Sequence, residues 1–375
     1  MKKIVGASVV TPDGVVKGDV IYNEKIIGVG SASADADEVI NAEGDYLIPG
    51  LIDLHIHGYL GTDVTDADSE ALEMISRGIL KNGVTAYLPT AMTASYETLE
   101  NIFSVIRGAM KELPKDCAEV LGVHSEGPFI NASKKGAQPE EHIKAPDAEF
   151  VKKHKDVIKL ITLAPETDKD FSAIKCICAD TDAIVSMGHT AMDYDTAMRS
   201  IDAGVRHATH LFNAMTPITH REPGAAGAAL FSDKVSCELI CDEFHVNPAL
   251  FAPVFKMKGK KLNLITDCMR AGGLADGEYD LGGQNVTVKG IQCRLADGTI
   301  AGSVLTLNKA VYNISKHGVP LHEAVNAATL YPAMTLGIEN ERGAIRVGLK
   351  ADMVICDKEM NVKQVIKDGE TVYKA

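Results

Sequence analysis

Apolar stretches of strand length recur through the middle of the chain, and segments with a helical spacing of apolar positions separate them. Apolar positions three and four apart predict helices over residues 69–81, 96–111 and 194–203. The strand-length stretches are residues 51–58, 84–91, 120–127, 158–165, 183–189, 207–214, 235–242 and 262–267. Strands that alternate with helices are typical of parallel βα units. Eight such units predict an α/β fold with a closed (β/α)8 TIM-type barrel, and a doubly wound sheet is the alternative.

Both ends of the chain follow a different pattern. Short apolar runs and turn signals such as Asp13-Gly14 alternate over residues 1–50, and a similar pattern returns over 344–375. This alternation is typical of short antiparallel strands. We therefore predict a small β-sandwich built from both termini, beside a catalytic barrel of residues 51–343. A hairpin insertion over 282–299 and helices over 303–316 and 321–330 complete the predicted barrel region.

The composition restricts the classes of function that this chain can have. Its 375 residues, 46% of them hydrophobic, are enough for one large core. The formal net charge of −13 disfavours binding to nucleic acid and to anionic membranes, so an anionic substrate would need a local basic pocket. The eight cysteines lie mostly in apolar runs, which indicates buried thiols rather than a disulfide framework. Without a signal-peptide core or an apolar segment of membrane length, the chain is predicted to be cytoplasmic.

Polar groups that bind metals or transfer protons stand at the ends of five of the eight predicted strands. In a parallel barrel the carboxyl ends of all strands open on one face, where active sites form. These groups should therefore converge, although they lie far apart in sequence. They are His55, His57, Glu126, His189, His210 and Asp267. Separate structural roles for all of them would require several coincidences, so we predict a metal centre.

The spacing of His55 and His57 suits a metal, because alternate residues of a strand point to the same side. On their own, two histidines at this spacing would more often be structural residues, buried or hydrogen-bonded, than metal ligands. The polar groups at the other strand ends reverse that preference. Asp267 suits a different task. A carboxylate beside metal-activated water accepts its proton and passes it to a leaving amine. A helix N-cap or an additional metal ligand is the alternative role for Asp267.

Two further histidines lie on predicted strands. His124 lies two residues before Glu126 and points the same way by alternation, so it is a candidate partner of the metal ligands. His207 lies three residues before His210, so we predict a structural role for it on the opposite face of the strand.

Several motifs, taken in order along the chain, resemble the amidohydrolase superfamily. They are PGLIDLHIHG at 49–58, HSEGPF at 124–129, GHT at 188–190, THLFNAM at 209–215, REPG at 221–224 and LITD at 264–267. HSEGPF and THLFNAM narrow the resemblance to the N-acetylglucosamine-6-phosphate deacetylases, and it covers nearly the whole chain. The resemblance implies hydrolysis of the acetamide of this phosphorylated amino sugar to glucosamine 6-phosphate and acetate. It also implies a homodimer.

The resemblance assigns roles to the strand-end residues. The metal ligands that it implies are Glu126, His189 and His210. Asp267 would be the catalytic acid and base. Because His55 and His57 are both present, the resemblance favours a second metal with Glu126 as the bridge. Zn, Fe, Mn and Co all suit such ligands, as one or two divalent ions per chain.

The implied contacts to the sugar phosphate lie beyond the strand ends. They are Ala137, Gln138, Asn213, Ala214, Arg221, His245, Ala301 and Gly302. Arg221 would pair with the phosphate, because a guanidinium makes charge-assisted, often bidentate bonds to oxyanions. Gln138 departs from the family pattern, since some relatives carry there a histidine that polarises the substrate carbonyl. Glutamine donates a hydrogen bond but carries no charge, so this role stays open.

Three alternative functions stay open from the sequence. They are a deacetylase of the galacto epimer, a different amidohydrolase, and a barrel that has lost its catalytic activity. Arg221 together with LFNAM disfavours a different amidohydrolase. A non-catalytic barrel is disfavoured because all six metal and acid–base positions are filled.

Overall fold

The computed structural model describes residues 1–30 and 36–375, and contains a parallel barrel and a second sheet formed by the termini. The predicted terminal segment 1–50 includes residues 31–35, which lie outside this described part. Strands and helices are numbered along the chain. The eight barrel strands are β6 (Leu51–Ile56), β9 (Val84–Ala91), β11 (Val123–Glu126), β12 (Ile158–Leu163), β13 (Ile184–Met187), β14 (His207–Ala208), β15 (Ser236–Ile240) and β16 (Leu262–Ile265).

The barrel strands pair in parallel with their neighbours in chain order. The barrel closes where Ile56 and Cys268 form a parallel bridge, and the His57 backbone N–H donates to the Cys268 carbonyl oxygen over 2.8 Å. The short strand β10 (Glu119–Val120) pairs with β9 just before β11 begins. The predicted closed barrel is confirmed, and the doubly wound alternative is wrong.

Helices follow the barrel strands and surround them. Within the described residues they are α1 (Ser69–Leu80), α2 (Tyr96–Ala109), α3 (Ala148–Lys153), α4 (Ser172–Asp180), α5 (Tyr194–Ala203), α6 (Gly224–Phe231), α7 (Phe251–Lys258), α8 (Leu307–Lys316), α9 (Leu321–Asn326) and α10 (Leu330–Leu336). In α1 the Asp68 side chain accepts from the Glu70 N–H at the start, and Leu72 and Ile75 are buried in the main core. Over residues 1–30 and 36–375, none of the helices combines the length and the apolar character that a membrane crossing requires.

Two predicted helices differ from the observed ones. The helix predicted over 303–316 begins only at Leu307. The helix predicted over 321–330 ends at Asn326, and α10 starts at Leu330. Thr329 has a non-helical φ of −140°, and Pro332 in the first turn of α10 lacks an N–H to continue the hydrogen-bond ladder. One continuous helix therefore cannot run through this segment.

The two ends of the chain form one eight-stranded sheet. Its strands are β1 (Lys2–Thr11), β2 (Gly14–Tyr22), β3 (Ile26–Gly30), β4 (Glu38–Asn41), β5 (Tyr46–Pro49), β20 (Met353–Cys356), β21 (Val362–Lys367) and β22 (Glu370–Lys374). An irregularity between Ile4 and Ala7 lets β1 pair first with β4 and then with β5. The sheet encloses its own core, which includes Val20, Leu47 and Met353. The small β unit from both termini is confirmed, whereas the boundaries at 50/51 and 343/344 stay a prediction.

A three-stranded antiparallel sheet follows the last barrel strand. It consists of β17 (Gly277–Leu281), β18 (Gln284–Lys289) and β19 (Gln292–Arg294), so it starts earlier than the predicted insertion. A hairpin of β7 (Gly58–Tyr59) and β8 (Thr62–Asp63) follows the first barrel strand. The three-stranded sheet buries Val286 and Cys293 with Met92 and Ala137, which follow barrel strands β9 and β11. It therefore forms a wall beside the carboxyl ends of the barrel strands.

Candidate active site

Three of the predicted site groups lie in, or directly after, two barrel strands whose carboxyl ends are at the same end of the barrel. His55 is in β6, His57 follows the end of β6 by one residue, and Glu126 is the last residue of β11. All three are buried, and His55 is fully buried. The barrel therefore places them where the sequence pattern predicts.

The other three groups lie in turns just beyond their strands. His189, His210 and Asp267 each follow the last residue of a strand by two positions. Their φ angles are 48°, 31° and 51°, in the left-handed region that residues other than glycine seldom adopt. Such backbone persists where the surrounding structure holds it, and it clusters at functional sites. These turns bring the three side chains over the same end of the barrel as the first three.

Glu126, His189 and His210 form one set of candidate metal ligands, here called the first ligand group. The Glu126 Oε1 atom lies 3.1 Å from His189 Nε2 and 3.0 Å from His210 Nε2, and the two imidazole nitrogens are 3.1 Å apart. The His189 Nδ1–H donates to the Lys134 carbonyl oxygen over 2.8 Å, so the Nε2 lone pair faces the group. A carboxylate and two imidazoles that converge in this way fit a divalent transition-metal ion.

His55, His57 and Asp267 form the second ligand group. The Nε2 atoms of His55 and His57 are 3.1 Å apart, and Asp267 Oδ1 lies 3.5 Å and 3.2 Å from them. The His57 Nδ1–H donates to the Thr90 carbonyl oxygen over 3.1 Å, which again leaves Nε2 for a ligand. Glu126 lies between the two groups, because its Oε2 is also 3.4 Å from His57 Nε2. The structure thus brings all six predicted groups together.

The electrostatics of the centre keep its carboxylates ionised. Burial would raise the pKa of Glu126, but the surrounding imidazoles, His55 first, outweigh it and hold that pKa well below its usual range. Burial acts on Asp267 in the same way, yet His55 and His57 lower its pKa to about 2. Glu238 lies beneath the site, and there His55 outweighs burial and lowers the pKa to about 2. Positive charge beside these buried carboxylates therefore keeps them ionised, and a bound cation would provide the same compensation.

A cavity of about 520 Å³ lies above the two ligand groups, a volume that suits a small-molecule site. Every predicted metal or acid–base residue except His55 lines it, and His55 lies below. Of the predicted sugar contacts, those that line the cavity are Ala137, Gln138, Asn213, Ala214, His245, Ala301 and Gly302. The candidate metal ligands and nearly all of the predicted substrate contacts therefore lie at one cavity.

Comparison with known proteins identifies the family. The model of the amidohydrolase family matches residues 46–372. The chain belongs to the amidohydrolase family. The N-acetylglucosamine-6-phosphate deacetylase of Bacillus subtilis (strain 168) is 38% identical to this amidohydrolase, over 98% of this chain and 96% of that protein. The N-acetylgalactosamine-6-phosphate deacetylase of Escherichia coli O157:H7 is 33% identical, over 88% of this chain and 89% of that protein.

A solved structure is also similar over the full length. It is a mutant of the N-acetyl-D-glucosamine-6-phosphate deacetylase from Mycobacterium smegmatis, in complex with N-acetyl-D-glucosamine-6-phosphate. It superposes with a TM-score of 0.92 and 30% identity, over 100% of this chain and 99% of that one. The predicted resemblance and the predicted enzyme class, an amidohydrolase, are confirmed.

Arg221 is the predicted contact that the structure does not bring to the cavity. It lies in the loop before α6, is exposed, and is absent from the residues that line the cavity. Its neighbours 217–222 in this loop are exposed as well. The sequence places Arg221 close to the THLFNAM motif, but the loop carries it away from the sugar contacts of that motif.

Gln138 of this amidohydrolase is buried and held at both ends of its amide. Its Oε1 accepts from the Thr93 backbone N–H over 2.7 Å, so its Nε2 is the end that faces Glu126. Nε2 donates to Glu126 Oε2 over 2.6 Å. Gln138 therefore orients the shared carboxylate, and one N–H remains on the side of the cavity that it lines.

His245 is held by a neighbouring carboxylate. Its Nδ1–H donates to Asp242 Oδ2 over 2.6 Å. The other oxygen, Oδ1, accepts from the backbone N–H groups of Phe244 and His245 over 2.9 Å and 2.8 Å. This arrangement leaves the His245 Nε2 atom for a ligand in the cavity.

The sequence interpretation missed two basic residues and one acidic residue. Lys134 and Lys135 line the cavity, and the adjacent lysines of KKGA just before Gln138 were the available signal. Glu238 lies under the site, fully buried. Its signal was a charged residue inside the apolar run 235–242, where charges are rare unless they are paired.

His124 contacts His55, one of the predicted metal ligands. Its ring packs edge-on to that of His55, with the centroids 4.6 Å apart. The His124 Nδ1–H donates to the Leu54 carbonyl oxygen over 3.2 Å, and its Nε2 accepts from the Thr162 hydroxyl over 2.6 Å. Burial lowers the pKa of His124 to about 3, so its imidazole is neutral.

His207 has the predicted structural character but not the predicted position. It is fully buried, and its Nδ1 hydrogen-bonds the Ser186 hydroxyl over 3.0 Å inside the barrel. The prediction that it lies on the face opposite to His210 is wrong. Strand β14 ends at Ala208, so the alternation of faces does not extend to His210.

Proposed function

We propose that this amidohydrolase hydrolyses the acetamide of N-acetylglucosamine 6-phosphate to glucosamine 6-phosphate and acetate. The observation that carries this proposal is that the two ligand groups, with Glu126 between them, lie below the predicted sugar contacts of one cavity. The similarity to deacetylases over nearly the whole chain supports the same substrate class.

The two ligand groups are suited to one or two divalent ions per chain, with Zn, Fe, Mn and Co as candidates. When bound, such an ion supplies Lewis acidity, which polarises a carbonyl group and lowers the pKa of water towards ~7. Glu126 belongs to the first group and lies beside the second, with Oε2 3.4 Å from His57 Nε2, and Gln138 holds that carboxylate in place. The remaining Gln138 N–H is available to the substrate carbonyl oxygen.

Asp267 moves the proton in the proposed reaction. Its carboxylate lines the cavity beside His57, with Oδ1 3.2 Å from the His57 Nε2 atom. It accepts a proton from water as the water oxygen bonds to the acetyl carbon. It then donates this proton to the sugar nitrogen as the carbon–nitrogen bond breaks, which releases acetate.

The sugar phosphate binds along the wall of the cavity. Asn213 and Ala214 contact the sugar from the segment after β14, and Ala301 and Gly302 contact it from the segment after β19. Ala137 lies beside Gln138 on the remaining side. His245 recognises the phosphate as an imidazolium, whose Nδ1–H donates to Asp242 and whose Nε2–H donates to a phosphate oxygen. Arg221 does not line the cavity of its own chain, so the phosphate contact that it adds is to the site of a second chain.

We also propose that the protein is a cytoplasmic homodimer. Near the Arg221 loop, the side chains of Ile218 and Phe231 are 40% and 47% exposed, although both are apolar. Both approach Gly227 of α6, so they lie on one surface. A second chain on this surface would cover them and bring Arg221 to a phosphate. Sedimentation of the purified protein tests this, and a monomer at working concentration would contradict it.

The decisive experiment measures acetate release from N-acetylglucosamine 6-phosphate, from the unphosphorylated sugar and from the galacto phosphate, on protein of assayed metal content. We expect rapid release from the gluco phosphate, with one or two ions per chain. Preferred acetate release from the galacto phosphate would change the proposed substrate to the galacto epimer and leave the proposed deacetylation reaction unchanged. No release from any of the three, with metal bound, would reject the proposed function.

A further inference from the structure

A buried glutamate lies beneath the metal centre. Glu238 is in the middle of β15, is fully buried, and belongs to neither the first nor the second ligand group, although it also lies close to His55 and His124 in a third candidate set. A charged carboxylate in a barrel interior is costly to desolvate unless it is paired and hydrogen-bonded. An aliphatic residue would fill the same layer without that cost, so the contacts that Glu238 makes should explain its presence.

One oxygen of Glu238 contacts both ligand groups. Its Oε2 accepts from His55 Nδ1 over 2.9 Å and from the His210 backbone N–H over 3.0 Å. His55 belongs to the second ligand group, and His210 belongs to the first. The same oxygen thus holds an imidazole on one side and a left-handed turn with a φ of 31° on the other.

The bond to His55 determines which nitrogen of that imidazole is available. A carboxylate cannot donate, so the proton of the hydrogen bond is on Nδ1. Nε2 is then the nitrogen that a metal ion would use, and it lies 3.1 Å from His57 Nε2 and 3.5 Å from Asp267 Oδ1. A carboxylate on the outer nitrogen of a metal-binding histidine fixes its tautomer and orientation and makes it a stronger ligand.

The neighbouring polar residues are satisfied by one another. The Ser186, Thr209 and Thr162 hydroxyls form a chain with O···O distances of 2.6 Å and 2.7 Å. This chain links His207 at one end to His124 at the other. Neither of these histidines lies within hydrogen-bond distance of Glu238 among the described residues, and His207 Nε2 is 3.9 Å from Glu238 Oε1. Both hydrogen bonds of Glu238 therefore go from Oε2 to predicted metal ligands, while Oε1 is buried without a hydrogen-bond partner among the described residues.

We propose that Glu238 is a positioning residue that sets the affinity of the second ligand group for its ion, through the Nδ1–H of His55. This inference rests on the two-ion form of the proposed function. It predicts that the two groups respond differently to substitution of Glu238, because Glu238 contacts a ligand side chain in the second group and only a backbone N–H in the first.

The test is titration of the metal-free chain with Co²⁺, followed by visible absorption and by metal analysis after gel filtration. We expect two ions per wild-type chain. In Glu238→Gln we expect one ion to bind as in wild type and the dissociation constant of the other to rise about 10–100-fold. Ser186→Ala is the matched control. It removes a buried hydroxyl of the barrel interior that hydrogen-bonds His207 and Thr209 and no predicted metal ligand. It should bind two ions with wild-type affinity.

Two equally tight ions in Glu238→Gln, or only one ion in the wild type, would overturn the inference. Equally weakened ion binding in Ser186→Ala would also overturn it, because the effect would then follow from loss of any buried polar group in the barrel interior. If Glu238→Gln does not fold, Glu238→Asp can replace it. This variant keeps the charge but places the carboxylate one methylene farther from His55, so it should weaken binding of the same ion. The titration needs no substrate, so failure of acetate release alone would reject the proposed substrate and leave this inference standing.

Discussion

The six groups on the floor of the cavity lie on a barrel strand or within two residues of its end, whereas the predicted contacts on the wall come from longer loops. Each floor residue is at most 8% exposed, and hydrogen bonds orient the imidazoles of His55, His57 and His189. On the wall, Asn213 is half-buried, and the loop that follows it leaves Arg221 exposed outside the cavity lining. The closed barrel determines the geometry of the chemistry, and the loops determine which amide reaches it.

The largest effect is expected from Asp267→Asn on the floor. The amide has nearly the shape of the carboxylate but cannot accept the proton of the attacking water, so kcat should fall by about 10²–10⁴-fold. The first ligand group does not include this residue, so at least one ion per chain should remain. Steady-state acetate release and metal analysis on the same preparation measure both quantities.

Asp297→Asn is the matched control for that variant. Asp297 lines the same cavity but belongs to neither ligand group, and its substitution should leave kcat little changed. Turnover retained in Asp267→Asn would remove Asp267 from its proton-transfer role. Loss of all bound metal in that variant would instead assign Asp267 as a metal ligand first.

The second effect is expected on the wall, from His245→Asn. A hydrogen bond to a charged group is worth roughly 1.5–3 kcal/mol, so KM for the phosphorylated sugar should rise about 10–100-fold. Metal content should not change, since Asp242 and His245 lie outside both ligand groups. His220→Asn, an exposed histidine outside the cavity lining, is the control. An equal rise in KM for the unphosphorylated sugar would contradict the phosphate role.

A smaller effect is expected from Arg221→Ala. Its loop is exposed, and an exposed ion pair is worth roughly 1 kcal/mol or less, so KM for the phosphorylated sugar should rise about 2–5-fold. Added salt screens such a pair, so the difference from wild type should shrink as ionic strength rises. KM measured at low and high salt checks both statements. An unchanged KM at low salt would exclude Arg221 from phosphate binding.

The floor could be predicted from the sequence, and the wall only in part. Alternation put His55 and His57 on one side of a strand, and barrel topology placed them with the other strand ends. The exposed position of Arg221 depends on loop geometry, which has no periodic signal. The contact between His55 and Glu238 joins strands 183 residues apart, and one sequence contains no signal for that pairing. The left-handed turn at His210 also depends on tertiary contacts, including the Glu238 bond to its backbone.

The smallest effect on catalysis is expected far from both floor and wall, from Glu119→Ala. Glu119 of β10 accepts hydrogen bonds from Arg342, whose side chain is 3% exposed, and from Lys350 over 3.1 Å. Its removal takes one carboxylate partner from a buried guanidinium that also lies near Asp352, so the free energy of unfolding should fall by about 1–3 kcal/mol while kcat stays unchanged. Burial alone would raise the pKa of Glu119. The nearby Arg342 and Lys350 have the larger effect and lower that pKa. The carboxylate therefore stabilises the fold at neutral pH, and this contribution is lost as the pH falls through the lowered pKa. Thermal melts of both proteins should differ at pH 7 and converge in acid, and a gap independent of pH would show that the charge of Glu119 is not what stabilises this contact.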